Sequence, residues 1–469
     1  MVDIILVIPP SPDHRKIARF SFQSFESKGS YLFQPREYLA ITSCLKPGDG
    51  AVFIDGTCDN LEDEDFFCQL QETDKGDILF FSLSNVCWDS DYDYFRKTVK
   101  LFPDMPVYVS GDIFLDMDFR EKILSDCDGV VFLPYELNLE KMAAFRKTDV
   151  ESLPGVSTKS EQNVFSDPRK ITKVLEGSPR HELFLKPGYR FPFARHKEFA
   201  TVVTAYGCPN ACSYCGSSNF PPAVRSHEAV LREMEHLADL GIKELFLYDL
   251  TFGFYKKESI PLLEEMKRRF GFSWTCFTNH QVCTPEFLEL MYEAGCHTIM
   301  VGVDSTRVET LKNYKRSFRK DKLESLIEKA NRLKMSVCAD FIIGLEDETE
   351  DDIRSTINYA LKLPIDFASF NVIVPTPGTL IRENLKKKGV SSADLTNFDS
   401  LGHAGNIGNK HLSGQRIIEL RNDAVKKFYL RPSLILRRLR KTSSWKHFTI
   451  QFREMLSLFA KSFIRTKNI

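Results

Sequence analysis

Three cysteines lie close together near the middle of the chain. Cys208, Cys212 and Cys215 are separated by three and then two residues in a segment that also contains glycine and proline. Thiolates are the standard ligands of iron–sulfur clusters, and such a loop can wrap three of them around one face of a cluster. No fourth cysteine accompanies them, so one iron would stay open for a small molecule, as a catalytic zinc keeps an open position. The spacing predicts a 4Fe-4S cluster with chemistry at its free iron.

Two plainer explanations of these thiols stay open at this point, a structural zinc site and three incidental cysteines. A structural zinc needs four ligands, usually as two close pairs. The nearest histidine is His227, which falls on a predicted helix rather than in the loop. An iron–sulfur protein that serves interaction or sensing without catalysis is a further alternative to an enzyme.

The cysteine loop follows the first strand of an alternating pattern of strands and helices in residues 196–385. Six strand and helix repeats are fewer than the eight of a closed barrel, so the pattern predicts an open, partial (β/α)6 TIM-like barrel. The predicted strands are residues 200–204, 244–248, 272–277, 297–303, 336–343 and 367–374. Helix boundaries are indicated by Ser226, by Thr284 with Pro285, by Gly295, and by the capping-box pairs Asp321 with Glu324 and Thr349 with Asp352.

The first 150 residues show a similar alternation. Short apolar runs separated by segments long enough for crossover helices are typical of a parallel sheet with helices on both faces. We therefore predict a doubly wound, Rossmann-like α/β domain at residues 1–150, a connecting segment at 151–195, the barrel at 196–385 and a helical, basic extension at 386–469. The predicted strands of the first domain are residues 4–8, 51–54, 78–83, 107–109 and 130–133.

Composition excludes several classes of protein. The 469 residues carry 63 Lys and Arg against 64 Asp and Glu, a net charge of -1, which gives no general attraction to nucleic acid. Twelve cysteines are too few for a disulfide scaffold, and the first residues lack the features of a secretory signal. No apolar run approaches the roughly 20 residues that span a bilayer. We expect a cytoplasmic protein without transmembrane segments.

The pattern formed by Cys208, Cys212, Tyr214 and Cys215 resembles the CxxxCxYC signature of the radical S-adenosylmethionine (SAM) superfamily. Further resemblance to the strand ends and loops of that family is found at residues 248–252, 301–305, 341–349 and 375–379. It covers residues 200–385. Asp304 departs from the family's pattern because it is one methylene shorter than the usual Glu, and Glu346 and Asp347 replace Pro-Gly.

The resemblance implies that the amino and carboxylate groups of SAM bind the open iron. The reduced cluster then breaks the sulfonium bond, and the resulting 5′-deoxyadenosyl radical abstracts hydrogen from a small-molecule substrate. An electron donor such as flavodoxin or ferredoxin is implied as a partner. By family position, Tyr214 would lie beside the adenine, while Asp249, Asp304 and Ser305 would face the nucleoside or amino acid part of SAM.

The domain order resembles that of radical SAM enzymes with a cobalamin-binding domain ahead of the barrel. The resemblance implies that one face of cobalamin lies against small residues at the carboxyl ends of the strands, here Ser82, Ser84, Ser110 and Gly111. The pattern Asp-x-His-x-x-Gly of histidine-ligating domains is absent at His14, so any cobalamin would lack that axial ligand. A vestigial scaffold without cobalamin is the alternative.

Positive charge concentrates in the extension. Residues 421–469 contain thirteen Lys and Arg but only Asp423 and Glu454 as acidic residues, and aromatic and apolar side chains recur at helical spacing over residues 448–463. One interpretation is a helix docked on the barrel. The other is a helix that binds weakly to an anionic membrane surface.

Taken together, the sequence predicts cobalamin-dependent radical methylation of an unactivated carbon. A radical rearrangement, oxidation or cyclisation without methyl transfer is the alternative enzyme function. The sequence does not identify the substrate.

Overall fold

A computed structural model describes residues 1–19, 31–73, 76–147, 152–161, 174–402 and 407–441. Its first sheet has six strands in the order β2-β1-β3-β4-β5-β6, parallel except for β6, which pairs antiparallel with β5. The sheet therefore continues past residue 150. The strands are β1 Asp3–Ile8, β2 Gly50–Asp55, β3 Ile78–Ser82, β4 Val107–Ser110, β5 Gly129–Val131 and β6 Val156–Ser157.

The order of the first five strands places a topological switch between β1 and β3, where loops diverge and leave room for a ligand. Every residue of β3 and β4 is buried, as expected for central strands covered on both faces. The helices of this unit are α1 Arg36–Thr42, α2 Asp63–Glu72, α3 Trp88–Val99, α4 Met117–Ile123 and α5 Leu139–Ala144. The predicted Rossmann-like architecture is confirmed.

A second six-stranded sheet forms an open barrel in the order β15-β14-β13-β12-β11-β8, with all strands parallel. A separate three-stranded sheet, β7-β10-β9, is formed by one strand before β8 and two strands after it. The prediction of six barrel strands rather than eight is confirmed. The strands are β7 Val174–Leu175, β8 Ala200–Val202, β9 Ala205–Tyr206, β10 Ala223–Arg225, β11 Glu244–Leu247, β12 Ser273–Thr278, β13 Cys296–Asp304, β14 Ser336–Ile343 and β15 Phe367–Val372.

Most of the predicted caps are present on the barrel helices. The Ser226 and Thr284 side chains accept bonds from backbone N–H groups, and Thr349 with Asp352 forms a reciprocal capping box. The predicted cap at Asp321 is wrong: the helix begins at Lys320, so Asp321 lies inside its first turn, where its charge still favours the positive end of the helix dipole. The helices are α6 His227–Asp239, α7 Lys256–Arg269, α8 Pro285–Glu293, α9 Val308–Asn313, α10 Lys320–Arg332 and α11 Glu350–Lys362.

Three further helices follow the last barrel strand: α12 Leu380–Lys387, α13 Gly414–Tyr429 and α14 Pro432–Lys441. Helix α13 covers β15 and buries Ile417, Leu420 and Phe428 in the barrel's hydrophobic core. The predicted amphipathic segment at residues 448–463 lies outside the described residues. Among the helices that the structure describes, none is long and apolar enough to cross a membrane.

Candidate functional site

The cysteine loop begins with a backbone turn that requires glycine. Gly207 has a φ of +69°, and a Cβ there would lie 2.3 Å from the carbonyl oxygen of Pro221. Backbone bonds then tie the loop to two other segments: Ser213 N donates to Tyr314 O at 3.0 Å, and Leu380 N donates to Ser213 O at 2.9 Å. The loop is thus held from both sides by neighbouring parts of the barrel.

The three thiols have different surroundings within this loop. Cys212 is buried, which raises its pKa to about 11 because the thiolate is poorly solvated; the nearby Arg316 guanidinium opposes this effect. Burial also raises the pKa of Cys215. The Asn210 amide donates to Cys208 Sγ at 3.6 Å. Metal binding must displace the thiol protons, so cluster assembly at this loop is coupled to pH.

The spacing of the sulfurs bears on the zinc alternative. Among the described residues, one set of three possible metal-ligand atoms lies within 4.8 Å of one another, and it consists of His227, Glu228 and Glu258 on the outer surface. The three cysteine sulfurs are therefore not all within that distance. Ligands of a single tetrahedral zinc would converge more closely than this. The loop fits a larger metal cluster better than a mononuclear ion.

A cavity of about 310 Å³ lies between the two sheets, where the carboxyl ends of their strands face one another. Tyr214 and Cys215 line it from the barrel, and Ser110 and Gly111 line it from the Rossmann-like unit. The structure thus brings together residues predicted for two different cofactors. Functional sites are commonly found at the carboxyl ends of parallel strands in both fold types.

The wall formed by the first sheet suits a flat ligand. Ser82 and Ser110 are partners in the register of β3 and β4, and neither buried hydroxyl has a hydrogen-bond partner within the described residues. A Cβ on Gly111 would lie 2.0 Å from the carbonyl oxygen of Leu83, so only glycine allows this close approach. These small residues, two of them on the cavity wall, fit the predicted edge of a cobalamin site.

His14 does not contribute to this wall. Its side chain is 48% exposed and lies 3.2 Å from Glu62. No histidine is among the described residues that line the cavity. That a bound cobalamin would lack an axial ligand from His14 stays a prediction.

Two predicted site residues are engaged in hydrogen bonds within the protein. Ser84 donates to Asp91 at 2.9 Å, and Asp91 forms a buried ion pair with Arg19 at 2.9 Å. Ser305 donates to Glu348 at 2.5 Å, and the same carboxylate accepts two backbone N–H groups of the loop after β14. Neither serine lines the cavity between the sheets. Their contact with a cofactor stays a prediction.

Asp249 lies beneath the start of the cysteine loop. It accepts from Thr204 N at 2.7 Å and from Ala205 N at 3.1 Å, and it also accepts from the Thr204 hydroxyl. Burial raises the pKa of Asp249 to about 6, although these hydrogen bonds oppose the shift. Asp249 positions the chain that leads into the loop, and its predicted contact with SAM stays untested.

Asp304 lies at the end of β13 with a φ of +64° and pairs with a residue that the sequence analysis missed. Arg316 Nε is 2.6 Å from Asp304 Oδ2, and Arg316 Nη2 donates to Gly302 O at 2.9 Å. Burial alone would lower the pKa of Arg316, but the Asp304 carboxylate holds it above its usual value. A partly buried cation and a buried anion next to Cys212 can recognise the carboxylate and amino groups of an amino acid.

Tyr214 joins these loops through apolar contacts. Its ring packs edge-on against Tyr314 with 5.7 Å between centroids, and both belong to a small cluster with Leu345 and Ile373. The cysteine loop therefore packs against the loop after β14, one of the segments that resemble family motifs.

A second cavity of about 280 Å³ occupies the barrel lumen. Ile342, Asn371 and Ser400 line both this cavity and the cavity between the sheets, so the two adjoin. Asp304 lines the lumen as well. A molecule in the lumen would lie next to the groups around Cys215.

Comparisons with known proteins agree with this geometry. An uncharacterized methyltransferase from Pyrococcus horikoshii is 28% identical over 319 residues, 66% of this chain and 69% of that protein. Bacteriochlorophyllide d C-12(1)-methyltransferase from Chlorobaculum tepidum is 26% identical over 262 residues, 54% of this chain and 57% of that protein. Both matches are too distant in sequence to transfer a substrate.

Solved structures share the architecture over nearly the whole chain. The radical SAM methyltransferase TsrM from Kitasatospora setae, solved with cobalamin and a [4Fe-4S] cluster bound, matches with a TM-score of 0.69 and 15% identity over 98% of this chain and 99% of that chain. The cobalamin-dependent radical SAM enzyme OxsB, solved with aqua-cobalamin and SAM bound, matches with a TM-score of 0.62 and 13% identity over 98% of this chain and 72% of that chain. The predicted resemblance is confirmed for the fold of both units.

The family comparison matches residues 202–360 to the radical SAM superfamily. This range includes Cys208, Cys212 and Cys215 and most of the barrel. The chain therefore carries a domain of the radical SAM superfamily.

Proposed function

We propose that the chain is a cobalamin-dependent radical SAM methyltransferase that methylates an unactivated carbon of a small molecule. The observation that carries this proposal is the single cavity lined by Tyr214 and Cys215 on one side and by Ser110 and Gly111 on the other. The names of the methyltransferase relatives support it. Because this cavity is lined by residues predicted for the cluster and SAM and by residues predicted for cobalamin, both cofactors could act on one substrate bound there.

We assign roles to this chain's residues accordingly. Cys208, Cys212 and Cys215 hold the 4Fe-4S cluster, and the Asp304–Arg316 pair, with Tyr214, contacts the amino acid and adenine parts of SAM. When bound, the cluster supplies the electron that cleaves SAM and cobalamin supplies the methyl group. The protein positions these groups, and the packed loops around Tyr214 exclude water.

The proposal is tested with anaerobically reconstituted protein and SAM labelled on its methyl group. Methylation consumes one SAM as methyl donor, leaving S-adenosylhomocysteine, while radical formation consumes another, leaving 5′-deoxyadenosine and methionine. We expect bound cobalamin and both products. Release of 5′-deoxyadenosine without S-adenosylhomocysteine would favour rearrangement, oxidation or cyclisation, and absence of both products would favour a non-catalytic iron–sulfur protein.

The remaining assignments are proposals of the same kind. We place the Rossmann-like domain at residues 1–150, the connecting segment, which adds strand β6 to the sheet of that domain, at 151–195, the barrel at 196–385 and the basic extension at 386–469. A flavodoxin or ferredoxin would deliver the electron in the cytoplasm, and the extension would contact an anionic membrane surface. The roughly balanced total charge supports the absence of nucleic acid as a partner.

A further inference from the structure

The barrel lumen has a largely aromatic wall. Phe246, Phe277 and Phe367 enter it from the barrel strands, and Phe33, Phe191 and Phe193 enter it from the segments before the barrel. The rings contact one another, with 4.4 Å between the centroids of Phe191 and Phe246 and 4.9 Å between those of Phe193 and Phe367. Such a wall favours an apolar ligand body because it offers few groups that replace water's hydrogen bonds.

One cation in this lumen forms no close ion pair within the described residues. Arg421 reaches the lumen from α13, where its Nε donates to Phe370 O at 3.1 Å and its Nη1 donates to Asn422 Oδ1 at 2.9 Å. Within the described residues, no carboxylate lies within 4.0 Å of its guanidinium. Burial lowers the pKa of Arg421 to about 10, although Asp399 opposes this effect, and the side chain is still charged at neutral pH.

The other charged groups of the lumen differ from Arg421. Asp304 is paired with Arg316 at 2.6 Å, while Asp340 and Arg438 also interact with other groups of the protein. A partly buried cation without an anion is costly, and a bound anion would offset that cost. The lumen therefore combines an apolar wall with one positive charge that forms no close ion pair within the described residues.

We propose that the lumen binds a substrate with a largely apolar body and one anionic group, which pairs with the Arg421 guanidinium. The inference rests on the proposed function, since it names the substrate class for the same site. The apolar body would extend toward Ile342, Asn371 and Ser400, where the lumen adjoins the cavity lined by Cys215. Arg421 thereby fixes which end of the substrate faces the reacting groups.

Two fluorescent probes with a shared carbon skeleton test the proposal on the full chain with its cluster reconstituted. The probe 1-anilinonaphthalene-8-sulfonate is anionic, and N-phenyl-1-naphthylamine is its uncharged counterpart. We expect the wild-type protein to bind the anionic probe about tenfold more tightly, as a charged hydrogen bond in a desolvated site predicts. Arg421→Gln should remove this preference, and Arg421→Lys should retain part of it.

Two further variants show where the probes bind. Ser369 lines the lumen, so Ser369→Phe should weaken both probes by filling the space. Lys427 is exposed on the same helix and pairs only locally with Asp423, so Lys427→Gln should leave both affinities unchanged. Thermal unfolding of each variant verifies that it folds.

An unchanged preference for the anionic probe in Arg421→Gln would overturn the proposal, as would equal binding of the two probes by the wild-type protein. Loss of the preference in Lys427→Gln as well as in Arg421→Gln would also overturn it, because charge on the helix as a whole would then be responsible. Probe binding requires no cleavage of SAM. The substrate class and the proposed function can therefore fail separately.

Discussion

A buried ion pair joins the Rossmann-like unit to the helices after the barrel, and its removal gives a quantitative prediction. Arg382 on α12 has no exposed side-chain surface, and its Nε donates to Asp116 Oδ2 at 2.6 Å at the start of α4. Its remaining nitrogens donate to the carbonyl oxygens of Pro375, Leu395 and Ser392. We expect Arg382→Met to loosen the contact that holds Tyr214 and Cys215 of the barrel opposite Ser110 and Gly111 of the Rossmann-like unit.

The expected loss of stability in Arg382→Met depends on the partners that Asp116 keeps. Removing one partner of a buried ion pair costs about 3–5 kcal/mol. Asp116 would keep Lys386 at 2.8 Å and the Ser392 hydroxyl at 3.0 Å, so a loss of about 3 kcal/mol is expected. With an unfolding entropy of about 2.1 cal/mol/K per residue, this corresponds to a decrease in Tm of about 3 °C if the whole chain unfolds together.

The pH dependence of Arg382→Met provides a second signature. Burial alone would raise the pKa of Asp116, but Lys386 and Arg382 hold it below its usual value. A depressed pKa stabilises the fold above the unfolded pKa of about 3.9, and this contribution is lost as the pH falls through the folded value. Without Arg382 the folded pKa rises. The variant should therefore lose stability at a higher pH than the wild type.

Differential scanning calorimetry between pH 3 and pH 7 measures both effects. Arg332→Met is the matched control, since Arg332 is 72% exposed and pairs only with Glu328 on its own helix. A double variant with Asp116→Asn tests whether the two losses are coupled. A Tm for Arg382→Met no lower than that of the control would show that this ion pair does not stabilise the contact.

Three further predictions concern the site and the extension. The wild-type protein should lose up to roughly 3 kcal/mol of stability as the pH rises from about 4 to about 6, because the folded pKa of Asp249 is about 6 and its ionisation therefore destabilises the fold. Asp249→Asn should remove most of this decline, and urea unfolding at the two pH values measures it. Gly111→Val should reduce the amount of bound cobalamin, measured by absorbance. Gly271→Ala is the control and should not, because an added Cβ there would meet no atom within 4 Å. Equal cobalamin in both variants would contradict the assignment of Gly111 to the cobalamin site. Truncation after Lys441 should abolish salt-sensitive cosedimentation with anionic liposomes. Each basic residue near the surface contributes about 1 kcal/mol of attraction, and this attraction decays within a Debye length of about 8 Å. Failure of the full chain to bind these liposomes at low salt would refute the membrane contact.

The sequence predicted features that depend on local pattern. The strand and helix alternation gave both sheets because apolar periodicity and caps such as Thr349 with Asp352 are encoded within a few residues. The cysteine spacing likewise lies within one loop. Asp321 shows the limit of such signals, since capping-box spacing does not determine at which residue a helix starts.

The missed features depend on contacts between distant residues. The contact of Ser84 with a cofactor stays a prediction, but the sequence did not indicate that its hydroxyl donates to Asp91, which pairs with Arg19, 72 residues away. Arg316 and Arg421 carry no motif, and their roles arise only when the strand ends and α13 come together. Arg421 is followed by Asn422 and Asp423, so the local sequence does not distinguish it from an ordinary surface residue of the helix.

Iron content and 5′-deoxyadenosine formation in Cys212→Ala show whether the three cysteines hold the cluster that cleaves SAM, with Cys68→Ala as the control because Cys68 is exposed on α2. After anaerobic reconstitution, the wild type and the control should each bind about four irons and cleave SAM on reduction. Cys212→Ala should lose both properties. If Cys212→Ala still forms 5′-deoxyadenosine at the wild-type rate, a cluster held by these three cysteines is not the source of the radical.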